Sequence, residues 1–383
     1  MFEQKRFLMI PGPTPVPESA LLALAKHPLP HRSPEFSEVF LRCNEGLNEI
    51  AQTKTAMPVI YAASGTGAME AVIANLVNPG DKVLSVINGV FGKRWAELAE
   101  IYGANVHKIE PELGKAANPL DIEDFLKNNK DTKLVLVTFS ETSTGVMNPL
   151  KEIAAIVKNT EALLAVDAIT GLSAMPLKMD EWSIDVVISG SQKGFMIPPG
   201  LSFAWVGPKA WDAHQHAKSP RFYWDWTRSK KALEAQTTAY TPNVSLMVAL
   251  DETLRLMREE GVENCWKRHN RLKNCIRESL KAMGLKLFAS DNDASSAITS
   301  ILPPEGIEVA AIRKKLKDDW QIVVADGQAS LKGKIFRIGH LGFVSDRDCL
   351  TALSALASVL EDLGLSVTNT WKEVYTQTKK AHS

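Results

Sequence analysis

The sequence predicts an α/β fold, a mostly parallel sheet covered by helices, followed by a smaller α+β domain. Two observations predict it. Between about residues 59 and 206, short apolar runs alternate with stretches of helical periodicity, as strands joined by crossover helices do. Beyond Gly261 the alternation gives way to a charged amphipathic helix and isolated strand-like runs. With 383 residues, 45% of them hydrophobic, the chain is long enough to build both cores.

The first run, Val59-Ile60-Tyr61, leads through Ala62-Ala63-Ser64-Gly65-Thr66-Gly67-Ala68 into apolar residues at helical spacing, which stop at Asn78-Pro79-Gly80-Asp81. This is a candidate phosphate cradle. Backbone N–H groups of Gly65, Thr66, Gly67 and Ala68 would face an anion at the helix N-terminus, and the Thr66 hydroxyl could add a donor. The dinucleotide fingerprint GxGxxG is not met, because Glu70 stands where the third glycine belongs. An ordinary strand-to-helix turn explains the glycines as well.

Further strand-like runs are Lys82 to Ile87, Lys133 to Thr138, Leu163 to Val166, Asp185 to Ile188 and Leu201 to Val206. Two end in unusual chemistry. The run Leu163-Leu164-Ala165-Val166 closes on Asp167, and an acid at the end of a buried strand is costly unless a cation or strong donor meets it. The alternative is a helix N-cap or turn residue. Asp185-Val186-Val187-Ile188 is followed by Ser189-Gly190-Ser191-Gln192-Lys193-Gly194, which places an amine on a long tether beside small neighbours. A desolvated lysine can condense with an aldehyde, whereas a solvated lysine after a strand does nothing. A lysine for the aldehyde and an acid for a protonated ring nitrogen are what pyridoxal phosphate chemistry calls for.

In the C-terminal part, Val262 through Met283 reads as a helix ended by Gly284, and Asp346 to Leu363 as another. Ala297 to Leu302 and Ile322 to Ala325 read as strands, and the polar end, Thr376 to Ser383, is expected to be loosely held. Arg337 lies in the strand-like Lys334-Ile335-Phe336-Arg337-Ile338-Gly339, opposite Phe336 and Ile338. Its flat guanidinium fork matches a carboxylate, and the competing reading is an edge-strand arginine in water. The loop Arg221-Phe222-Tyr223-Trp224-Asp225-Trp226 carries four rings in six positions and reads as an interface anchor.

In the order cradle, acid, lysine, the chain resembles the class V aminotransferases of the alanine-glyoxylate and serine-glyoxylate group, above all the cyanobacterial and archaeal-type members. The likeness runs from Ile10-Pro11-Gly12-Pro13-Thr14 and His31-Arg32, through Ser64-Gly65-Thr66-Gly67-Ala68 and Asn88-Gly89-Val90-Phe91-Gly92, to Glu141-Thr142-Ser143-Thr144-Gly145. It continues with Val166-Asp167, Ser191-Gln192-Lys193, Pro198-Pro199-Gly200 and Phe336-Arg337-Ile338-Gly339. The resemblance implies a fold-type I pyridoxal-phosphate transferase with a seven-stranded sheet. Its parts are an N-terminal segment over 1–17 near the site, a large cofactor-binding domain over 18–260 and a small domain over 261–383. It implies that Lys193 forms the Schiff base with the cofactor, Asp167 holds the ring nitrogen, and Ser64, Gly65, Thr66, Gly67, Ala68 and Gln192 surround the phosphate. Phe91 stands where an aromatic ring stacks on the pyridine, and Thr142 where a hydroxyl meets the ring hydroxyl. Gly12, Thr142 and Arg337 would bind substrate, and Tyr240 and Thr241 would reach the phosphate of the partner subunit in a homodimer with shared sites.

The activity so implied is ping-pong transfer of an amino group from alanine or serine to glyoxylate or another small 2-oxo acid. The alternatives are aspartate as donor, or a non-catalytic partner subunit, since some relatives carry a soluble-hydrogenase small-subunit label. A desulfurase would need a mobile-loop cysteine, and Cys349 falls in a helical pattern. The cysteines at 43, 265, 275 and 349 form no CxxC pair, which argues against metal or iron–sulfur ligation. Among the histidines, His31, His214, His216, His269 and His340 read as surface or core-edge residues. With 44 basic and 44 acidic residues, nothing favours nucleic acid or an anionic membrane. Met1 to Phe7 lead straight to Pro11-Gly12-Pro13 without the apolar stretch of a signal peptide or spanning helix, so a cytoplasmic protein is expected.

Overall fold

A computed structural model describes residues 6–382; Met1 to Lys5, part of the expected N-terminal segment, and Ser383 lie outside the described residues. Seven strands form the main sheet: β1 (Met57–Tyr61), β2 (Lys82–Val86), β3 (Asn105–Ile109), β4 (Leu134–Thr138), β5 (Leu163–Asp167), β6 (Val186–Gly190) and β7 (Ser202–Val206). Their spatial order is β1-β7-β6-β5-β4-β2-β3. Strands β4 to β7 are buried along their whole length, which is why they read as unbroken apolar runs. The edge strand β3 is half exposed and polar, and for that reason its composition gave no strand signal.

Only β7 runs antiparallel to its neighbours β1 and β6. The cause lies in its connection, because β6 reaches β7 through residues 191–201 without a crossover helix, and a parallel neighbour would need one. That loop carries Lys193.

Helix α1 (Gly65–Leu76) follows β1 and α2 (Val90–Ile101) follows β2. Almost all of α1 is buried, and Asn75 inside it donates to Ala71 O and Trp224 O at 2.7 Å while accepting from Trp226 N at 3.2 Å. A buried amide used in this way ties the aromatic loop to the helix. The loop therefore splits. Trp226 is fully buried with its indole N–H on Tyr61, and Trp224 packs edge-on to Tyr61, whereas Phe222 is 62% exposed and Tyr223 37%. Two of the four rings serve the interior, not an outer anchor.

A second core gathers β8 (Ile298–Ile301), β9 (Ala325–Asp326) and β10 (Phe336–Gly339) with α3 (Val262–Ala282), α4 (Asp346–Asp362) and α5 (Thr370–Ala381). Strand β10 is central in its three-stranded sheet, so Arg337 is not an edge residue. The expectation of a loosely held C-terminus is corrected: residues 376–381 belong to α5, which packs along α3 and buries Trp371 and Tyr375. The polar sequence concealed a helix with one apolar stripe. The histidines are corrected too. His214, His269 and His340 are buried core residues, with His269 Nδ1 on Cys265 O and Nε2 accepting from Gly342 N, and His340 Nε2 against Thr299.

The segment from Phe7 to Thr14 joins the two cores. Phe7 and Leu8 pair with Ile322 and Val323, Met9 O accepts from Gly339 N, and Thr14 bonds the lysine loop. Among the described residues no helix is long and apolar enough to cross a membrane.

Trp371→Ala should lower the unfolding free energy by about 3–5 kcal/mol in a urea titration. A loosely held end would leave it within about 0.5 kcal/mol.

Candidate active site

The carboxyl ends of the strands converge on one place, where ligands of open α/β sheets bind. Asp167 is the last residue of β5, and β6 leads directly into the loop of Lys193. That loop is pinned. Ser191 Oγ donates to Pro198 O at 2.8 Å and accepts from Leu201 N at 3.2 Å, Met196 N bonds Lys193 O at 3.0 Å, and the Thr14 hydroxyl donates to the same oxygen at 2.9 Å.

The Lys193 ammonium donates to Pro11 O at 2.6 Å. Gly12 lies over its side chain with φ of +140°, and a Cβ there would come within 2.8 Å of Lys193 Cδ and Nζ, so only glycine fits. Burial first, and then the Arg337 charge, push the Lys193 pKa down to about 8 against the opposing pull of Asp167. Burial pushes the Asp167 carboxyl up to about 7, against the Ile169 N–H at 2.9 Å on Oδ1 and the nearby Lys193 and Arg94. No hydrogen bond reaches Asp167 Oδ2 among the described residues. A buried carboxylate with one oxygen unmet is a receptor for a cation.

Across the site, Ser64 caps α1 without a side-chain hydrogen bond, leaving the first-turn N–H groups of Gly65 and Thr66 free of intrahelical partners, while Gly67 N turns back to Ser64 O. Gly67 is fixed by packing as well, because a Cβ would meet Trp224 at 2.6 Å. The Thr66 hydroxyl accepts from Arg94 Nη1 at 3.1 Å, and the same guanidinium lies 4.8 Å from the centroid of the Phe91 ring. Gln192 is beside Lys193, its Oε1 buried without a partner.

Glu141 organises the opposite wall. Its carboxylate accepts from Phe91 N at 3.0 Å, Gly92 N at 3.2 Å, and Ser143 N and Oγ at 3.0 and 2.5 Å, so it fixes the start of α2 and hence Phe91. Burial raises its pKa, and these hydrogen bonds oppose the rise. The next residue, Thr142, shares a 2.6 Å hydrogen bond with the Thr170 hydroxyl, and its carbonyl accepts from Arg337 Nη1 at 2.8 Å. Arg337 is 5% exposed; burial lowers its pKa to about 10, which leaves it a cation at neutral pH.

The structure thus brings Lys193, Asp167, Gly12, Gln192, Thr142, Phe91, the cradle from Ser64 to Ala68 and Arg337 around one site. Tyr240 and Thr241 stand apart. Tyr240 donates to Phe222 O at 2.9 Å and stacks on Tyr223 at 5.2 Å, beside Thr241 in a small cleft with Ala62. Sequence reasoning missed Arg94, Glu141 and Thr170. Glu141 belongs to a motif already singled out and Arg94 lies two residues beyond another, so an acid flanked by Thr-Ser-Thr or a cation one turn after Phe91 was the available signal. Thr170 had none.

Comparison with known proteins places the chain in a family. The model of the class-V aminotransferase family matches residues 17–344. A soluble hydrogenase small subunit of Synechococcus sp. (strain PCC 6716) is 49% identical, over 94% of each chain. An L-aspartate–glyoxylate aminotransferase of Paracoccus denitrificans is 34% identical, over 94% of this chain and 92% of its own. The crystal structure of ureidoglycine–glyoxylate aminotransferase from Bacillus subtilis superposes with a TM-score of 0.93 at 31% identity, over 99% of each chain. The chain belongs to the class-V aminotransferases.

Proposed function

We propose that this aminotransferase moves the amino group of a small amino acid, alanine or serine, to glyoxylate or another small 2-oxo acid, using pyridoxal phosphate. The observation that carries the reading is the pair Lys193 and Asp167: an amine with a pKa near 8 and a buried, half-satisfied carboxylate at neighbouring strand ends. The residues present fit that cofactor. Asp167 Oδ2, without a hydrogen-bond partner, suits a protonated ring nitrogen, the free N–H groups of α1 suit a phosphate, and Phe91 offers an aromatic face. When bound, pyridoxal phosphate supplies an aldehyde for amine exchange and a ring that takes up electrons.

Lys193 Nζ would hold the aldehyde, and Asp167 would keep the ring nitrogen protonated. Ser64, Gly65, Thr66, Gly67, Ala68 and Gln192 would hold the phosphate, and Thr142 the ring hydroxyl. Lys193 Nζ would serve as base and then acid for the proton of the substrate α-carbon, with Pro11 O as its resting acceptor. Arg337 would orient the substrate carboxylate beside Gly12. The second cation near it, Arg313, is engaged by Asp326 Oδ2 at 3.1 Å. That favours a donor without a second carboxylate over aspartate. Glyoxylate is the acceptor named for the Paracoccus and Bacillus proteins.

We infer further a cytoplasmic homodimer with shared sites. In support, Tyr240 and Thr241 sit away from Lys193 beside exposed Phe222 and Tyr223, and the four cysteines are unpaired and buried. The large unit over 18–260 would carry the cofactor and the small one over 261–383 the substrate arginine. A non-catalytic subunit role, as the name of the Synechococcus protein suggests, would require neither a depressed lysine nor a buried acid opposite it.

Lys193→Ala should abolish turnover and keep the far-ultraviolet circular dichroism, while the wild type gives parallel double-reciprocal lines with alanine and glyoxylate; retained transamination in the variant refutes the assignment. Uptake of pyridoxal phosphate, followed by absorbance, should speed up as pH climbs through about 8, where Lys193 loses its proton. Arg337→Gln removes a neighbouring cation and should move that midpoint upward. A raised folded-state pKa gives Asp167 stability below pH 4 that is lost as pH rises toward 7. Asp167→Asn should therefore raise the Tm of the cofactor-free protein more at pH 8 than at pH 5, and a pH-independent change would contradict it.

A further inference from the structure

Arg337 is surrounded by acceptors of unequal strength. Its Nε and Nη2 both donate to the backbone carbonyl of Asp326, at 2.8 and 2.6 Å, and Nη1 donates to Thr142 O at 2.8 Å. The remaining contact is the longest, from Nη1 to the side-chain oxygen of Gln328 at 3.3 Å. With the Nε–Nη2 edge taken by Asp326 O, a carboxylate approaching in a two-pronged hydrogen bond is left the other edge, one hydrogen on Nη1 and one on Nη2 side by side. The backbone carbonyls are fixed by strand pairing and by the Glu141 wall. Gln328 alone can yield. It lies half-buried just before the short 3₁₀ turn Ala329–Leu331, and its amide makes no other hydrogen bond among the described residues.

We propose that Gln328 sets the affinity of the amino-acid and oxo-acid site: its amide oxygen competes with the substrate α-carboxylate for the Nη1 hydrogen of Arg337 and swings aside when an anion arrives. This rests on reading Arg337 as the carboxylate receptor. A neutral amide holds the guanidinium oriented but loses to a charged acceptor, whose hydrogen bonds are roughly twice as strong. The arginine stays aimed between turnovers, and the cost is weaker substrate binding. Such a residue raises KM without entering the proton transfers, so it acts on binding and not on the α-carbon.

The test is calorimetric titration of the pyridoxal-phosphate-loaded protein with propionate, a monocarboxylate of alanine's length that cannot react. Gln328→Ala removes the competitor and should tighten propionate by about three- to fivefold, lowering KM for alanine with kcat little changed. Gln328→Glu places a tethered anion on Arg337 and should weaken propionate by about tenfold or more. In an Arg337→Ala background, Gln328→Ala should have no effect. If Gln328 merely braced the arginine, both substitutions would weaken binding, and weakening or no change in Gln328→Ala overturns the proposal. A wild type that binds propionate with these shifts yet transaminates no donor would sink the reaction reading and leave this one standing.

Discussion

A carboxylate and an amine held out of water at the ends of adjacent strands govern the rest of this molecule. Asp167 and Lys193 both lie deep enough that burial is the largest influence on their protonation, and it drives the two pKa values toward each other. Neither group is neutralised by a direct salt bridge with the other. The fold therefore stores two partly compensated charges in a site whose other walls are backbone donors, Phe91, and the cations Arg94 and Arg337. Such an arrangement destabilises the protein alone and becomes favourable when a ligand brings the complementary charges, which is the usual relation between a binding site and its scaffold.

Holding those charges in place requires parts from distant stretches of chain. The strand ends of the main sheet supply Asp167 and Lys193, while Glu141 ties the start of α2 to the peptide of Thr142, and Thr142 in turn receives Arg337 from the second core. The strap from Phe7 to Thr14 closes the circuit by pairing with Ile322 and Val323 at one end and bonding Lys193 at the other. A displacement at any of these points would be felt at Lys193 Nζ, because a close-packed interior transmits strain.

Much of this was legible in the sequence. Six of the seven strands of the main sheet were apparent as apolar runs, since parallel strands buried on both faces cannot afford polar residues. The edge strand Asn105–Ile109 was not, because half of it faces water. Lys193, Asp167, the cradle and Arg337 were legible only in combination, through the family resemblance their motifs carry, because each alone reads equally well as a solvated lysine, a turn acid, a strand-to-helix turn or an edge arginine. Glu141 escaped notice for the opposite reason: among hydroxyl residues it looks ordinary, and its importance comes from meeting the amides of Phe91 and Gly92, some fifty positions earlier.

What the sequence by itself determined is the alternation of strands and helices, the order of the chemical groups along the chain and the residues able to carry charge, because these depend on periodicity and side-chain type. Only the tertiary structure decided which charges are desolvated, that β7 runs backwards, that Trp371 and Tyr375 anchor a C-terminal helix, and that Gln328 sits on Arg337. Desolvation and hydrogen-bond geometry depend on residues far apart in the chain, and no local pattern encodes how those residues meet.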